Sequence, residues 1–232
     1  MCAIPARGGS KRLARKNIRD LAGKPLIAHT IDAARDSGFR EIYVCTEDVD
    51  IGEVAVRHGA LVPRLMPEEL CGDLVASHVP CQFLAEELAK DGHSFEGLVC
   101  LQPSSPLRSS ADIRGAVELY CRGSFDFVVS VTSIDPHYFH WAVAPAQAPY
   151  WKMFFGKEYM KERPLLPRVY RPNGSIKIAR LSALRGVGNF FGQRLGGFET
   201  PEERSVHVAT EFDLTVCKAI LSERGVRSTS LE

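Results

Sequence analysis

The sequence predicts an α/β protein: a doubly wound, mostly parallel sheet with a small insertion late in the chain. Three observations carry that prediction. Strand-like apolar runs alternate with stretches of helical period from the start of the chain to about residue 134, the rhythm of consecutive β–α–β units. One run, GLVCLQ (97–102), is apolar without a break, as a strand covered on both faces must be. Polar loops follow the first strands, and open sheets of this kind bind ligands beyond the carboxyl ends of their strands.

The elements follow in order. CAI (2–4) is a short strand running into a basic loop. KPLIAHTIDAARDSG (24–38) reads as a helix: Pro25 suits its first turn, Leu26, Ile27, Ile31 and Ala34 make an apolar face, and Gly38 ends it. EIYVCT (41–46) is a strand, DVDIGEVAVRHG (48–59) a short helix closing at Gly59, and ALVPRL (60–65) another strand. LVASHVPCQFLAEELAKDG (74–92) is helical, with Pro80 expected to kink or delay it. After GLVCLQ and the loop PSSPLRSS come a helix, ADIRGAVELYCRG (111–123), and a strand, DFVVSVTS (126–133).

There the rhythm breaks. Residues 136–171 hold nine of the 20 aromatics and five prolines without a helical period. They read either as a β-rich flap packed on its own domain or as an insertion that docks on a second subunit. Aromatic side chains are favoured interface anchors, which tilts the choice to a homodimer. A strand (GSIKIAR, 174–180), an irregular glycine-rich stretch and a helix (EFDLTVCKAILSERG, 211–225) complete the chain. The expected organisation is one core, 1–134 and 172–232, interrupted by the insertion 135–171.

Bulk properties narrow the classes. The 232 residues are 45% hydrophobic and 25% charged, enough for a sizeable core without disulfides. No apolar run approaches the roughly 18 residues of a membrane span, and MCAIPARGG lacks the apolar middle of a signal peptide. The seven cysteines are scattered and form no CxxC pair, so they read as buried reduced thiols in a cytoplasmic protein.

The loop IPARGGSKRLARKNI (4–18) asks for an explanation. The first 25 residues carry seven cations against one acid, Asp20, in a chain whose formal net charge is only +1. No GxxxxGK[ST] or GxGxxG pattern is present. A nucleic-acid patch would fit the charge, but the cluster lacks interleaved aromatics and the rest of the chain is not basic; a merely solvated charged face stays open. The favoured reading is a loop gripping a nucleoside triphosphate. Gly8 and Gly9 let backbone N–H groups close on phosphate oxygens. Lys11 and Lys16 supply point charges and Arg7 a planar fork. Such donors also stabilise charge that builds as a phosphate is attacked and pyrophosphate leaves.

IPARGGSKRLARKNI followed by GKPLIAHTI resembles the signature of the acylneuraminate cytidylyltransferases, also called CMP-sialic acid synthetases. RLMPEELCGDLVAS, LQPSSPLR, YRPNGSIKI and NFF (189–191) continue the resemblance in order through most of the chain. It implies a Rossmann-like nucleotidyltransferase fold with a dimerisation insertion. It implies an activity as well: CTP activates a nine-carbon 2-keto sugar acid of sialic or legionaminic type, giving the CMP-sugar and pyrophosphate. Position by position, it implies that Arg7, Ser10, Lys11 and Lys16 hold the CTP phosphates, Lys11 nearest the transferred one. Ala6, Gly8 and Gly9 belong to the same nucleotide loop, Asn17 supports it, and Ser77 helps hold the cytidine. Gln102, Ser104 and Ser105 face the sugar. Arg163 and Arg171 bring positive charge, one of them to the sugar carboxylate. Asn173 shapes the pocket, and Phe190 and Phe191 pack on an acetamido methyl group.

Two departures from the family pattern matter. The family holds Mg²⁺ with two aspartates in an IDIDTELD-like segment, where this chain reads VHVATEFD, with His207 and Ala209 at those places. Alanine offers no ligand to a hard cation. Three alternatives stay open: Mg²⁺ held by CTP phosphates and water alone, a softer ion such as Mn²⁺ beside the imidazole, or a step carried by lysines and arginines. Lys177 stands where the family has a tyrosine of the sugar pocket, which points to a sugar differing from N-acetylneuraminate there. No histidine with a paired carboxylate suggests itself as general base. The rival readings are another sugar-nucleotide pyrophosphorylase, such as a Kdo cytidylyltransferase, and a nucleotide-binding homologue impaired in catalysis.

Overall fold

The structure is a computed structural model and describes residues 1–229. Its central sheet has six strands: β1 (Cys2–Pro5), β2 (Ile42–Cys45), β3 (Gly97–Leu101), β4 (Phe127–Ile134), β5 (Val169–Arg180) and β6 (Leu195–Glu199). Their spatial order is β6-β4-β5-β3-β1-β2. β1 runs parallel to β2 and β3, and β6 to β4; β5 alone is antiparallel, wedged between β3 and β4.

The period-2 alternation of the strands sorts the core into two layers. Cys2 and Ile4 of β1, Ile42 and Val44 of β2, and Val99 and Leu101 of β3 face one side. There they pack on α1 (Leu26–Asp36), α2 (Val49–Arg57) and α4 (Ser110–Arg122) through Ile27, Ile31, Ile51, Ala55, Ile113 and Ala116. Ala3, Tyr43, Cys45, Leu98 and Cys100 face the other side, against α3 (His78–Lys90) and α6 (Leu181–Val187). A third cluster joins Leu13 of the basic loop and Leu107 of the loop after β3 to Leu214 and Cys217 of α7 (Glu211–Thr229). Helix α7 therefore clamps the basic loop and the loop after β3 together.

Local chemistry explains the helix starts. Asp48 caps α2 by accepting the Ile51 N–H at 3.1 Å. Ser109 and Asp112 form a reciprocal capping box on α4. Pro80 sits in the first turn of α3, where its missing N–H costs nothing, so the helix begins late at His78 and the proline interrupts no later turn. Six cysteines are buried and Cys121 is exposed; all seven are free. No described helix is long and apolar enough to cross a membrane.

Three sequence expectations change. ALVPRL forms a single parallel bridge, Leu61 with Tyr43, because Pro63 cannot continue a ladder. The strand read as 174–180 begins at Val169 and pairs first with the far end of β4, across a register shift between Val129 and Val131. The glycine-rich stretch contains α6 and the edge strand β6. Its glycines admit rings: a Cβ on Gly192 would stand 2.3 Å from the Phe127 ring, and one on Gly196 3.1 Å from that of Phe125. Between β4 and β5 lie α5 (Pro136–His140) and a small ribbon, Val143–Pro145 with Trp151–Met153. Phe139 and Phe155 stack there at 4.1 Å, while Tyr138, Tyr150, Trp151 and Phe154 are exposed.

Candidate active site

The segments that leave β1, β2 and β3, the amino end of α3 and the stretch before α7 enclose a cavity of about 250 Å³. The basic loop forms one wall through Ala6, Arg7, Ser10, Lys16 and Asn17. Buried Asn17 closes this loop on itself, its Nδ2 donating to the Arg7 carbonyl at 2.9 Å. The Gly8 N–H donates to Glu47 Oε1 at 2.7 Å. A Cβ on Gly8 would stand 2.5 Å from Asp48 Oδ2 and 2.9 Å from its Cβ. Glycine at 8 is therefore a packing requirement, whereas Gly9 is open to solvent.

The cations of the loop divide into two groups. Arg7 and Lys11 both pair with Asp73, and Lys11, with its side chain 82% exposed, lies outside the cavity lining. Lys16 lines the cavity, is half-buried, and has no carboxylate within ion-pair reach among the described residues. Burial first, then the neighbouring Arg7 and Arg12, lower its ammonium pKa. An ammonium held this way is destabilised until an anion reaches it.

The facing wall is built from Gln102, Pro103 and Ser104 after β3, from Ser77 at the amino end of α3, and from His207. Its shape depends on Arg108, which the motif reading passed over. This arginine is 4% exposed and has no carboxylate within ion-pair distance among the described residues. Its guanidinium donates to the Ser175 carbonyl at 2.8 Å, the Ser105 carbonyl at 2.9 Å, Thr30 Oγ1 at 3.2 Å and the Gln102 carbonyl. Burial lowers its pKa to about 10, so it stays a cation at neutral pH. The arginine in LQPSSPLR is thus the internal template of that loop.

The segment carrying His207 is fixed from both ends. Arg204 forks onto Asp112 of α4 at 2.8 and 2.9 Å. Burial alone would raise the Asp112 carboxyl, but Arg204 and Ser109 outweigh it and hold the pKa low. The Val208 N–H donates to the Ser104 carbonyl at 2.7 Å, and Ser104 Oγ and His207 Nδ1 lie 3.2 Å apart.

Other expected site residues lie elsewhere. Ser105 is buried beneath the loop, its hydroxyl without a partner. Asn173 is buried and donates to Thr200 Oγ1 at 2.7 Å and Ser205 Oγ at 2.8 Å, bracing the His207 segment from below. Arg163 and Arg171 line a second cavity of about 700 Å³ beside the insertion, where Arg163 pairs with Asp135 at 2.6 Å. Phe190 is buried, edge-on to His78, with Lys177 Nζ 5.5 Å above its ring, and Phe191 is exposed. The structure thus gathers the nucleotide loop, Ser77, Gln102 and Ser104 in one cavity, and leaves Arg163, Arg171, Phe190 and Phe191 outside it.

Residues 1–138, more than half of the chain, match the family model described as Cytidylyltransferase. The chain belongs to the cytidylyltransferase family. Over 228 residues it is 29% identical to the pseudaminic acid cytidylyltransferase of Campylobacter jejuni, covering 95% of each chain. It is 37% identical over 199 residues to the CMP-N,N'-diacetyllegionaminic acid synthase of Legionella pneumophila, covering 83% of each. Among solved structures, a CMP:2-keto-3-deoxy-manno-octonic acid synthetase complexed with CTP superposes with a TM-score of 0.70 at 18% identity, over 96% of this chain and 98% of the other. That last likeness bears on the fold alone.

A family Mg²⁺ site does not fit the residues present. The Ala209 side chain has no ligand atom, and no group of three or more His, Cys, Asp or Glu among the described residues is placed to hold a metal. Asp213 accepts the N–H groups of Ala209 and Thr210 at 2.9 and 2.7 Å, and Glu211 pairs with Arg19. These carboxylates are committed to the start of α7.

Proposed function

We propose that this cytidylyltransferase joins CTP to a nine-carbon 2-keto sugar acid, of the class acted on by its named relatives, and releases pyrophosphate. The anomeric C2 hydroxyl attacks the α-phosphorus in line. The observation that carries this reading is Lys16, a half-buried ammonium on a glycine loop, lining the cavity without a carboxylate partner among the described residues. A triphosphate supplies the missing anion. Ser10 and the loop N–H groups complete the phosphate seat, and Arg7 and Lys11 join it by exchanging Asp73 for phosphate oxygens. Ser77 lies on the nucleotide side, and Gln102 and Ser104 on the side of the sugar.

On this reading Arg163 and Arg171, at the rim of the exposed aromatic ribbon, serve the sugar carboxylate through a homodimer. Exposed Trp151 and Phe154 anchor that contact. Lys177 lies over Phe190 rather than in an ion pair, which supports a sugar that departs from N-acetylneuraminate on that side. The free thiols suit work in the cytoplasm.

The test is pyrophosphate release from CTP with N-acetylneuraminate, N,N'-diacetyllegionaminate, pseudaminate and Kdo, each with Mg²⁺, with Mn²⁺ and without metal. Release with a nonulosonate and none with Kdo is expected. Silence with every sugar would leave a nucleotide-binding protein without the transfer step, and equal turnover of the nonulosonates would remove the role given to Lys177. Sedimentation of the wild type and of Trp151→Glu tests the dimer: a wild type that sediments as a monomer would reject it.

A further inference from the structure

We propose that His207 is the proton acceptor of this site, with Nδ1–H donating to Ser104 Oγ and Nε2 taking the proton of the attacking hydroxyl. The inference rests on the transfer reading above and adds the role that reading leaves empty. Where a family member would present a carboxylate, this chain presents an imidazole, and the alanine two residues on removes the second oxygen ligand. The ring lines the cavity together with Gln102, Ser104 and Lys16. Its Nδ1 is committed to Ser104 at 3.2 Å, while Nε2 has no protein partner among the described residues. Its backbone is pinned to the same serine through the Val208 N–H, 2.7 Å from the Ser104 carbonyl. Ring and backbone of this segment are thus both bonded to Ser104. The carboxylate on the cavity lining, Asp73, is paired with Arg7 and Lys11 of the basic loop in the ligand-free protein, and among the described residues no hydrogen bond joins it to Ser104 or His207.

An acceptor must be neutral. The charged groups around the ring are Lys16 and Arg12 of the basic loop, Lys177 of β5 and Asp213 of α7. Burial, then Lys16 and Arg12, lower the imidazole pKa to about 4 in the ligand-free protein, with Asp213 acting in the opposite sense. A bound triphosphate offsets those cations and raises the basicity of Nε2 when the substrate is in place. The balance of the step is simple. The sugar oxygen forms a bond to the α-phosphorus as the bond to the bridging oxygen breaks. That electron pair leaves with pyrophosphate, and the hydroxyl proton passes to Nε2 and then to pyrophosphate or solvent.

Single-turnover formation of CMP-sugar should fall about 100-fold or more in His207→Ala, within the range of a lost general base. The dissociation constant for CTP by calorimetry should change by less than about threefold, since a neutral ring contributes little to phosphate binding. Added imidazole should restore part of the rate of His207→Ala, which a structural defect would not allow. Ser104→Ala should cost about tenfold by releasing the tautomer. Independently of any sugar, the imidazole nitrogen shifts of His207 in the CTP complex at pH 7 should report a neutral ring protonated on Nδ1. A His207→Ala rate within about threefold of wild type, loss without rescue by imidazole, or a ring protonated on Nε2 would each overturn the proposal. Absence of turnover by the wild type with every sugar refutes the transfer reading, whereas the nitrogen shifts still decide the state of His207.

Discussion

Replacing Arg108 by methionine should loosen the loop after β3 without removing any group that meets the nucleotide. The guanidinium serves the carbonyls of Gln102, Ser105 and Ser175 and the hydroxyl of Thr30, all in the interior. Each buried acceptor left without a donor costs about 1 kcal/mol or more. Against this stands the relief of a buried cation that has no carboxylate partner among the described residues. A net loss of about 3 kcal/mol follows, which lowers Tm by about 6–12 °C in a chain of this size. Because Gln102 and Ser104 line the cavity on the side proposed for the sugar, KM for the sugar acid should rise while the Kd for CTP stays within about twofold. Differential scanning calorimetry, CTP titration and hydrogen exchange over residues 102–107 measure the three effects. Arg108→Lys, which keeps the charge but not the fork, should fall between. A methionine variant that melts within about 2 °C of wild type with unchanged sugar KM would refute the templating role.

Three further outcomes follow from the same geometry. Lys16→Met should weaken CTP binding by about ten- to a hundredfold, roughly 1.4–2.8 kcal/mol, yet leave Tm unchanged or raised, because it removes an unpaired half-buried ammonium; a parallel loss of stability would count against the phosphate seat. Gly8→Ala should cost about 1–2 kcal/mol and reduce CTP affinity, since its Cβ would displace Asp48 from the cap of α2; wild-type melting and binding would contradict the close approach. Asp112→Asn should destabilise the protein by about 1–3 kcal/mol at pH 7 through its bonds to Arg204 and Ser109. The folded pKa of Asp112 lies below its ordinary 3.8, so that stability is present above about pH 4 and lost as the pH falls through the folded value. Melting curves of the two proteins should therefore converge in acid, and a constant gap down to pH 2 would contradict the assignment.

Much of the fold was legible because its signals are local. Period-2 strands and period-3.6 helices up to residue 134 follow from burial on two faces of a sheet, and the basic loop announced itself by charge density beside glycines. What escaped was set by partners far along the chain. The stretch holding strand β6 looked irregular because its glycines at 192 and 196 make room for the rings of Phe127 and Phe125, and ALVPRL looked like a strand although only Leu61 finds a bridge. Arg108 carried no sign of its importance, since a surface arginine and a buried template have the same one-letter code. Its acceptors lie 3 to 78 residues away.

Sequence alone determined the fold class, the place of the basic glycine loop and the residues standing at 207 and 209. Those are matters of residue type and spacing. Tertiary structure decided which cations are engaged: Asp73 pairs with Arg7 and Lys11, Lys16 lines the cavity with no carboxylate partner among the described residues, and His207 is joined to Ser104 across 103 positions. Charge is a property of the chain, but whether a charge has a partner depends on distances that only the folded backbone sets.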